Sequence, residues 1–190
     1  TSYAYDANGN LTSLTNALGQ TETKKYDNMN RLVQETDATG AKTTYQYDGK
    51  GQLLSSTDGN GNTTAVAYDG NGNVISVTDG EGRQVRYAYD LADRLTEAIA
   101  GDASYENRNT YTYDEVGNLT STTDGNGNKM TYTYDLLSNQ TSRTNALGET
   151  ESYSYNLNNR LEKITRPNGN TIQYDYNKLD ALLQTDYSEE

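Results

Sequence analysis

The sequence contains no cysteine, histidine, tryptophan or phenylalanine, and it has a single proline. Disulfide bonds, thiol nucleophiles, histidine-based acid–base catalysis and zinc sites built from cysteine and histidine are excluded by this inventory. The absence of cysteine leaves the cellular compartment open, because secreted and cytosolic proteins can both lack it. No run of about 18 or more apolar residues is present, so no segment is predicted to span a bilayer as a helix.

Positive charge is also scarce. The chain has 15 Lys and Arg against 27 Asp and Glu, which gives a net charge of −12 and a pI of about 4.4. Nucleic acid and anionic membrane surfaces are therefore not expected as main partners, since both require a basic surface. We interpret the acidic residues as a solvated face that keeps the protein soluble, and a lining for a basic cargo is the alternative.

Large aliphatic side chains are few as well, with 17 Leu, 6 Val and 4 Ile among 190 residues. Together with the high net charge, this composition is typical of disordered chains. The 18 tyrosines oppose that interpretation, because each has a large ring to bury. A strict periodicity opposes it further, since repeat proteins bury apolar surface between neighbouring units and need less of it in each unit.

A tyrosine followed by aspartate or asparagine recurs along the whole chain, and seven of its eight intervals are 21 residues. The remaining interval, between Tyr89 and Tyr113, is 24 residues. The repeat tyrosines are Tyr5, Tyr26, Tyr47, Tyr68, Tyr89, Tyr113, Tyr134, Tyr155 and Tyr176. Their spacing predicts that residues 1–190 form a single array of about nine units, which we expect to be a fragment of a longer array.

An aliphatic residue stands six positions after the repeat tyrosine in every unit except one, where Gln140 occurs. These residues are Leu11, Leu32, Leu53, Val74, Leu95, Leu119, Leu161 and Leu182. A second tyrosine stands two positions before the repeat tyrosine in seven units. We predict that the repeat tyrosines and aliphatic residues are structural, and that Tyr47→Ala costs about 3–5 kcal/mol if the site is fully buried.

One unit, residues 129–148, shows how each repeat is expected to fold. Large and small side chains alternate from Met130 to Tyr134, which predicts a strand with Tyr132 and Tyr134 on one face. Turns are predicted on both sides of the next strand, because Gly and Asn tolerate the positive φ of tight hairpins. The sequence therefore predicts an all-β fold of 21-residue β-hairpin repeats in a long, twisted, curling antiparallel ribbon.

The recurrent pattern Tyr-Asp-x-x-Gly-x-Leu resembles the RHS/YD-repeat family over the whole chain. It occurs at residues 5–11, 47–53 and 113–119, with Val in the last position at 68–74, and in variant form at 26–32, 89–95 and 155–161. The resemblance implies a β-ribbon that spirals into a hollow shell around a C-terminal toxic segment, as in bacterial polymorphic toxins and insecticidal toxin complexes. Animal teneurins use a similar barrel in an adhesion ectodomain, and Gram-positive wall-associated proteins carry long arrays of the repeat.

From the resemblance we expect a structural scaffold of a large, secreted or surface-exposed bacterial protein, part of a shell that encapsulates or presents a toxin. No enzymatic activity and no cofactor are expected, and the main partner is the rest of the polypeptide, including its cargo. The alternative is an extracellular adhesion fibre that binds glycans or surface proteins. The shell proteins' Asp-Pro self-cleavage motif is absent, because the one proline, Pro167, follows Arg166. Nine repeats are also expected to be too few to close a shell.

Two acidic segments allow a more specific hypothesis, namely calcium binding. Residues 58–62 and 124–128 match the Asp-x-Asn-x-Asn opening of a calcium loop, but Thr63 and Lys129 occupy the position that requires Gly. We favour a hairpin turn in which the Asp accepts backbone hydrogen bonds. A carboxylate pair for glycoside hydrolysis is disfavoured, because the repeat Asp occurs in equivalent turns along the chain and cannot be one catalytic pair.

Two further features have competing interpretations. The tyrosines offer aromatic faces for sugars, but most are needed for packing because aliphatic residues are few. The segment 100–110 contains the three-residue insertion together with Tyr105 and Arg108. Long loops on repeat scaffolds are sometimes binding sites, and drift of the repeat is the simpler interpretation here.

Overall fold

The computed structural model describes residues 1–102, 105–179 and 181–188, and every regular element in them is a β-strand, as predicted. The strands are β1 Ser2–Tyr5, β2 Leu11–Thr15, β3 Thr21–Tyr26, β4 Leu32–Thr36, β5 Lys42–Tyr47, β6 Leu53–Thr57, β7 Thr63–Tyr68, β8 Val74–Thr78, β9 Gln84–Tyr89, β10 Leu95–Asp102, β11 Tyr105–Tyr113, β12 Leu119–Thr123, β13 Lys129–Tyr134, β14 Gln140–Thr144, β15 Thr150–Tyr155, β16 Leu161–Thr165, β17 Thr171–Tyr176 and β18 Leu182–Ser188. Within these residues there is accordingly no helix that could cross a membrane.

The chain divides into two compact units. Unit 1 comprises Thr1–Arg94 with Ile99–Glu106, and unit 2 comprises Leu95–Ala98 with Asn107–Glu190. Strands β10 and β11 contribute residues to both units. The single array over residues 1–190 remains a prediction.

Each unit is built by antiparallel pairing of strands that follow one another in sequence. In unit 1 this pairing joins β1 to β9 in order. In unit 2 it joins β11 to β18 in order. The predicted β-hairpin repeats are confirmed, with two strands and two turns in each repeat. Curling of a longer ribbon remains a prediction, because it is a property of the whole array.

A β-bulge lies at the repeat tyrosine. Tyr47 pairs with Leu53 while its neighbour Gln46 pairs with Ser55, which leaves Leu54 without a partner in the register. The same shift occurs in seven other hairpins. Bulges bend a strand and increase its local twist. In the structure, the constant six-residue spacing between repeat tyrosine and aliphatic residue thus spans a turn followed by a bulge.

Both turns of a repeat have the same hydrogen bonds. In the turn that starts at Asp69, the Asp69 N–H donates to the Asn73 carbonyl at 2.9 Å and the Gly72 N–H donates to the Asp69 carbonyl at 3.3 Å. Gly72 has φ of 101°, and Asn30 takes the equivalent position with φ of 61°. This is the three-residue hairpin loop with a left-handed last residue, and it confirms the predicted turns.

The tyrosines lie on the better covered face of the sheet, but that face is only half-buried. In β5, Thr43, Tyr45 and Tyr47 are half-buried and the residues between them are exposed. Among the described residues, no side chain is less than 2% exposed. Full burial, the condition attached to the cost of about 3–5 kcal/mol for Tyr47→Ala, is therefore not met. The reason is physical: strands of described residues contact only their neighbours in sequence, so no second layer covers the tyrosines.

Candidate functional site

The repeat tyrosines connect each repeat to the one before it. The Tyr47 hydroxyl donates to the Leu32 carbonyl at 2.8 Å, and the Tyr68 hydroxyl donates to the Leu53 carbonyl at 3.0 Å. We call the set of these bonds the tyrosine ladder. In unit 1 its donors are Tyr26, Tyr47, Tyr68 and Tyr89, and in unit 2 they are Tyr113, Tyr134, Tyr155 and Tyr176. The acceptors in the same order are the carbonyls of Leu11, Leu32, Leu53, Val74, Leu95, Leu119, Gln140 and Leu161.

The acceptor in this ladder is always a main-chain oxygen. A phenol that loses contact with water needs a hydrogen-bond partner, and the carbonyl across the repeat boundary supplies it. Gln140, the exception to the aliphatic pattern, accepts from Tyr155 at 3.0 Å like the other acceptors. The structure thus brings the tyrosine of one repeat to the predicted aliphatic position of the preceding repeat. The sequence pattern points to the side chain at that position. It carries no signal that the carbonyl there accepts a hydrogen bond from the tyrosine.

The aspartate after the repeat tyrosine holds its own turn together. Asp69 Oδ1 accepts from the Asn71 N–H at 3.0 Å and the Asn73 N–H at 2.9 Å, and Oδ2 accepts from the Asn73 side-chain amide at 3.0 Å. These hydrogen bonds, with the Asn73 side chain first, hold the pKa of Asp69 below its usual value. A carboxylate used in this way has few acceptor positions left for a ligand.

The two calcium-like segments have the same geometry. Asp58 Oδ1 accepts from the Asn60 and Asn62 N–H groups, both at 2.9 Å, and Oδ2 accepts from the Asn62 amide at 2.9 Å. Asp124 has the equivalent bonds. Asn62 therefore points an N–H at the aspartate, where a shared cation would require an oxygen. Within the described ranges, no group of three acidic side chains could hold a metal ion. The bonds are those that the turn interpretation predicts.

A second set of links joins the turns of successive repeats, and sequence reasoning missed it. Asn10 Nδ2 donates to Asn30 Oδ1 at 2.8 Å, and Asn73 Nδ2 donates to Asp93 Oδ1 at 2.7 Å. Arg31 Nη1 reaches the carbonyl of Asp48, also in the next repeat, at 2.9 Å. The sequence does contain a signal for these links, because the residue before the repeat aliphatic position is Asn, Arg or Gln in eight of the nine units.

Arg31 adds an aromatic contact to this set. Its Nε lies 2.7 Å from Asp27 Oδ2, and its guanidinium lies 4.8 Å from the ring centroid of Tyr47. Arginine over an aromatic face is a favourable cation–π arrangement. Tyr47 is therefore held by two contacts with the preceding repeat: its hydroxyl donates to the Leu32 carbonyl, and the Arg31 guanidinium lies over the face of its ring.

Two of the tyrosines that stand two positions before a repeat tyrosine donate to carboxylates. The Tyr45 hydroxyl lies 2.6 Å from Glu35 Oε1, and the Tyr153 hydroxyl donates to Glu151. The hydrogen bond to Glu35, with burial, raises the pKa of Tyr45 to about 12. Burial, with the bond to Glu151, raises the pKa of Tyr153 to about 12. Ionising either phenol would place two negative charges side by side.

Glu35→Gln is expected to lower the pKa of Tyr45 towards the ordinary tyrosine value, because the neighbouring charge is lost while a hydrogen-bond acceptor remains. Alkaline titration followed by near-ultraviolet tyrosinate absorbance measures this change. Glu22→Gln, on an exposed position of the neighbouring strand β3, is the control and is expected to leave the late-titrating tyrosines unchanged. An unaltered titration of the Glu35→Gln variant would contradict the assigned cause.

The three-residue insertion lengthens two strands. β10 has 8 residues and β11 has 9, compared with 5 and 6 in β8 and β9. Arg108 forms an ion pair with Glu97 in unit 2, and Arg86 pairs with Glu106 in unit 1. Ala103, Ser104 and the Tyr105 side chain lie outside the described residues, so that part of the predicted loop is not addressed.

Comparison with known proteins places these features in a family. The RHS Repeat family matches four segments of the chain, at residues 5–42, 30–63, 68–104 and 113–150. No curated protein matches the chain. These segments contain the repeat tyrosines up to Tyr134, and together they cover more than half of the sequence.

Solved structures share the fold. A crystal structure of TcdB2–TccC3 matches 98% of this chain with a TM-score of 0.76 at 18% identity, and TcdB2–TccC3 without its hypervariable C-terminal region matches 94% with a TM-score of 0.73 at 19% identity. The Photorhabdus luminescens Tc holotoxin pore matches 96% with a TM-score of 0.61 at 17% identity. The chain spans only 11%, 12% and 13% of these three chains, respectively. At such identities the likeness establishes the fold alone, whereas the family segments establish that this chain belongs to the RHS repeat family.

Proposed function

We propose that this chain is a scaffold segment of a large secreted or surface-exposed bacterial protein, in which it forms part of a wall that encloses or presents a C-terminal toxin. The observation that carries the proposal is the tyrosine ladder. Each of its eight bonds fastens a repeat to the preceding one. Such a chain of identical links is suited to a continuous wall, since its stability adds up from neighbour contacts.

The chemistry of the side chains supports the same proposal. The turn carboxylates that were candidates for metal binding are engaged by backbone and amide N–H groups. These carboxylates thus serve to hold the turns of the sheet, which supports its role as a barrier. The fold is shared with TcdB2–TccC3 and with a Tc holotoxin pore that contains TccC3, and this likeness supports a wall as the role of the sheet.

The test is made on the full-length parent protein, by electron microscopy together with limited proteolysis of the segment after the repeats. We expect a closed hollow particle with internal density, and a C-terminal segment that resists protease at neutral pH. After acid unfolding the same segment should be digested rapidly, which serves as the control for cleavable sites.

An open rod with a freely digested C-terminal segment would overturn encapsulation. The adhesion fibre would then be the function to test, by binding of the purified protein to glycan arrays. The partners of such a fibre would be glycans or surface proteins.

A further inference from the structure

Several turns of the chain contain an asparagine followed by a glycine with positive φ. They are Asn8–Gly9, Asn60–Gly61, Asn71–Gly72, Asn126–Gly127 and Asn168–Gly169. In such a pair the glycine nitrogen can attack the asparagine Cγ, because glycine has no side chain to obstruct the approach. Three of the pairs lie in the same pentapeptide, Asp-Gly-Asn-Gly-Asn, at residues 58–62, 69–73 and 124–128. A difference in reactivity among these three asparagines therefore has to come from the structure around them.

The side-chain amide of Asn71 is held by the next repeat. Its Nδ2 donates to Asp93 Oδ1 at 2.8 Å, and Asn8 Nδ2 donates in the same way to Asn30 Oδ1 at 3.0 Å. Each acceptor stands 22 positions after its donor and has a positive φ at the end of its own turn. The asparagine side chain must rotate before the glycine nitrogen can reach Cγ, so this bond has to break first. Hydrogen bonds to a charged acceptor such as Asp93 are the more costly ones to break.

The equivalent amides of Asn60 and Asn126 are not held in this way. The positions 22 residues further along are Gly82 and Gly148, which have no side chain to accept a hydrogen bond. Both asparagines are exposed, and their side-chain amides make no hydrogen bond to any residue that the structure describes. Rotation of these two side chains towards the glycine nitrogen therefore breaks no link between repeats.

We propose that Asn60 and Asn126 are sites of spontaneous deamidation, and that the bond to Asp93 protects Asn71 from the same reaction. The Gly61 nitrogen forms a bond to Asn60 Cγ, and the bond between Cγ and Nδ2 breaks. Nδ2 leaves as ammonia with the proton that the Gly61 nitrogen loses, and a cyclic succinimide remains. Water then opens the ring, giving aspartate by addition at Cγ or isoaspartate by addition at the main-chain carbonyl of residue 60. Water is the one co-reactant, so the reaction does not depend on what the array encloses.

The isoaspartate product changes the path of the main chain. It places the side-chain methylene of residue 60 in the backbone, inside the loop that is closed by the bond from the Asp58 N–H to the Asn62 carbonyl. Either product also adds a negative charge close to Asp58. Deamidation of Asn60 is therefore a covalent change to the loop between β6 and β7, and deamidation of Asn126 is the same change between β12 and β13.

The experiment incubates this chain at mildly alkaline pH and follows the conversion of each asparagine by tandem mass spectrometry. Trypsin cuts after Lys50 and Arg83 and releases Asn60 and Asn71 on one peptide, so both sites are measured in the same molecule. Asn60 is expected to convert about tenfold faster than Asn71, because only Asn71 has to break a hydrogen bond to a charged acceptor. The same incubation in concentrated urea is the control, and there the two sites are expected to convert at equal rates.

Two variants at Asp93 test the assigned cause. Asp93→Gly removes the acceptor at a position where φ is 59°, which glycine adopts readily, and Asn71 is then expected to convert as fast as Asn60. Asp93→Asn keeps an acceptor, as Asn30 does for Asn8, and is expected to leave Asn71 slower than Asn60. Equal rates at the two sites in folded wild type, or no conversion of Asn60, would overturn the proposal. It would also be overturned if Asn71 reacted at its wild-type rate in Asp93→Gly, or equally fast in both variants.

Discussion

Replacing Tyr47 by alanine is expected to lower the free energy of unfolding by about 2–3 kcal/mol, and replacing it by phenylalanine by about 1 kcal/mol. Alanine removes a half-buried ring, its hydrogen bond to Leu32 and its contact with Arg31. Phenylalanine removes only the hydrogen bond. The expected cost for alanine is below the range for full burial, because the ring remains partly in contact with water. Urea denaturation followed by circular dichroism measures both values.

Tyr5→Phe is the matched control for this prediction. Its hydroxyl donates no ladder bond to any of the described residues, so the same chemical change is expected to alter stability by less than about 0.5 kcal/mol. If Tyr47→Ala unfolds at the same urea concentration as wild type, the tyrosine ladder does not stabilise the fold.

Acidification below about pH 4 is expected to unfold the protein, because the turn carboxylates must then be protonated. The pKa is lowered by hydrogen bonds in ten of them. They are Asp6, Asp27, Asp37, Asp58, Asp69, Asp79, Asp90, Asp114, Asp124 and Asp135. A folded-state pKa below the unfolded value of 3.8 means that the stabilisation is fully present above that pH. It is lost as the pH falls through the lower, folded-state pKa. Circular dichroism against pH measures the transition.

Aspartate-to-asparagine variants separate the charge from the hydrogen bonds. Asn156 already occupies the repeat Asp position, and its Oδ1 accepts from the Asn158 and Arg160 N–H groups at 3.0 Å each. Replacing Asp58, Asp69 and Asp124 together by Asn is therefore expected to keep the turns and to make the acid transition shallower. A wild-type protein whose stability is unchanged down to about pH 2 would contradict the role of the carboxylates.

The regular part of the fold follows from local chemistry and was predictable. Alternation from Met130 to Tyr134 sets a strand, and Asn and Gly supply the positive φ of the turns. The bulge at the repeat tyrosine was not predicted, because a six-residue spacing is equally compatible with a longer loop and regular pairing. The extent of burial was also not predictable, since it depends on whether a second layer covers the sheet, and neither Tyr47 nor its neighbours encode that.

The candidate site was predictable only as a set of positions. The repeat tyrosines and aliphatic residues were identified from their period, but a period does not show which atoms meet across a repeat boundary. Tyr155 makes this clear, because its acceptor is the carbonyl of Gln140, the one residue that breaks the aliphatic pattern. The links between turns, such as Asn73 to Asp93, depend on stacking of residues 20 positions apart and become visible only in the structure.

Because the ladder acceptor is a main-chain oxygen, the hydrogen bond between two repeats can form whichever residue supplies that oxygen. A gene segment that encodes one 21-residue unit can be duplicated or deleted by unequal recombination, and the new neighbours still meet through the same tyrosine and the same carbonyl. This bond requires no compensating substitution at the new junction, in contrast to the side-chain links between turns. The tyrosine–carbonyl bond therefore sets no limit on the number of units in such an array.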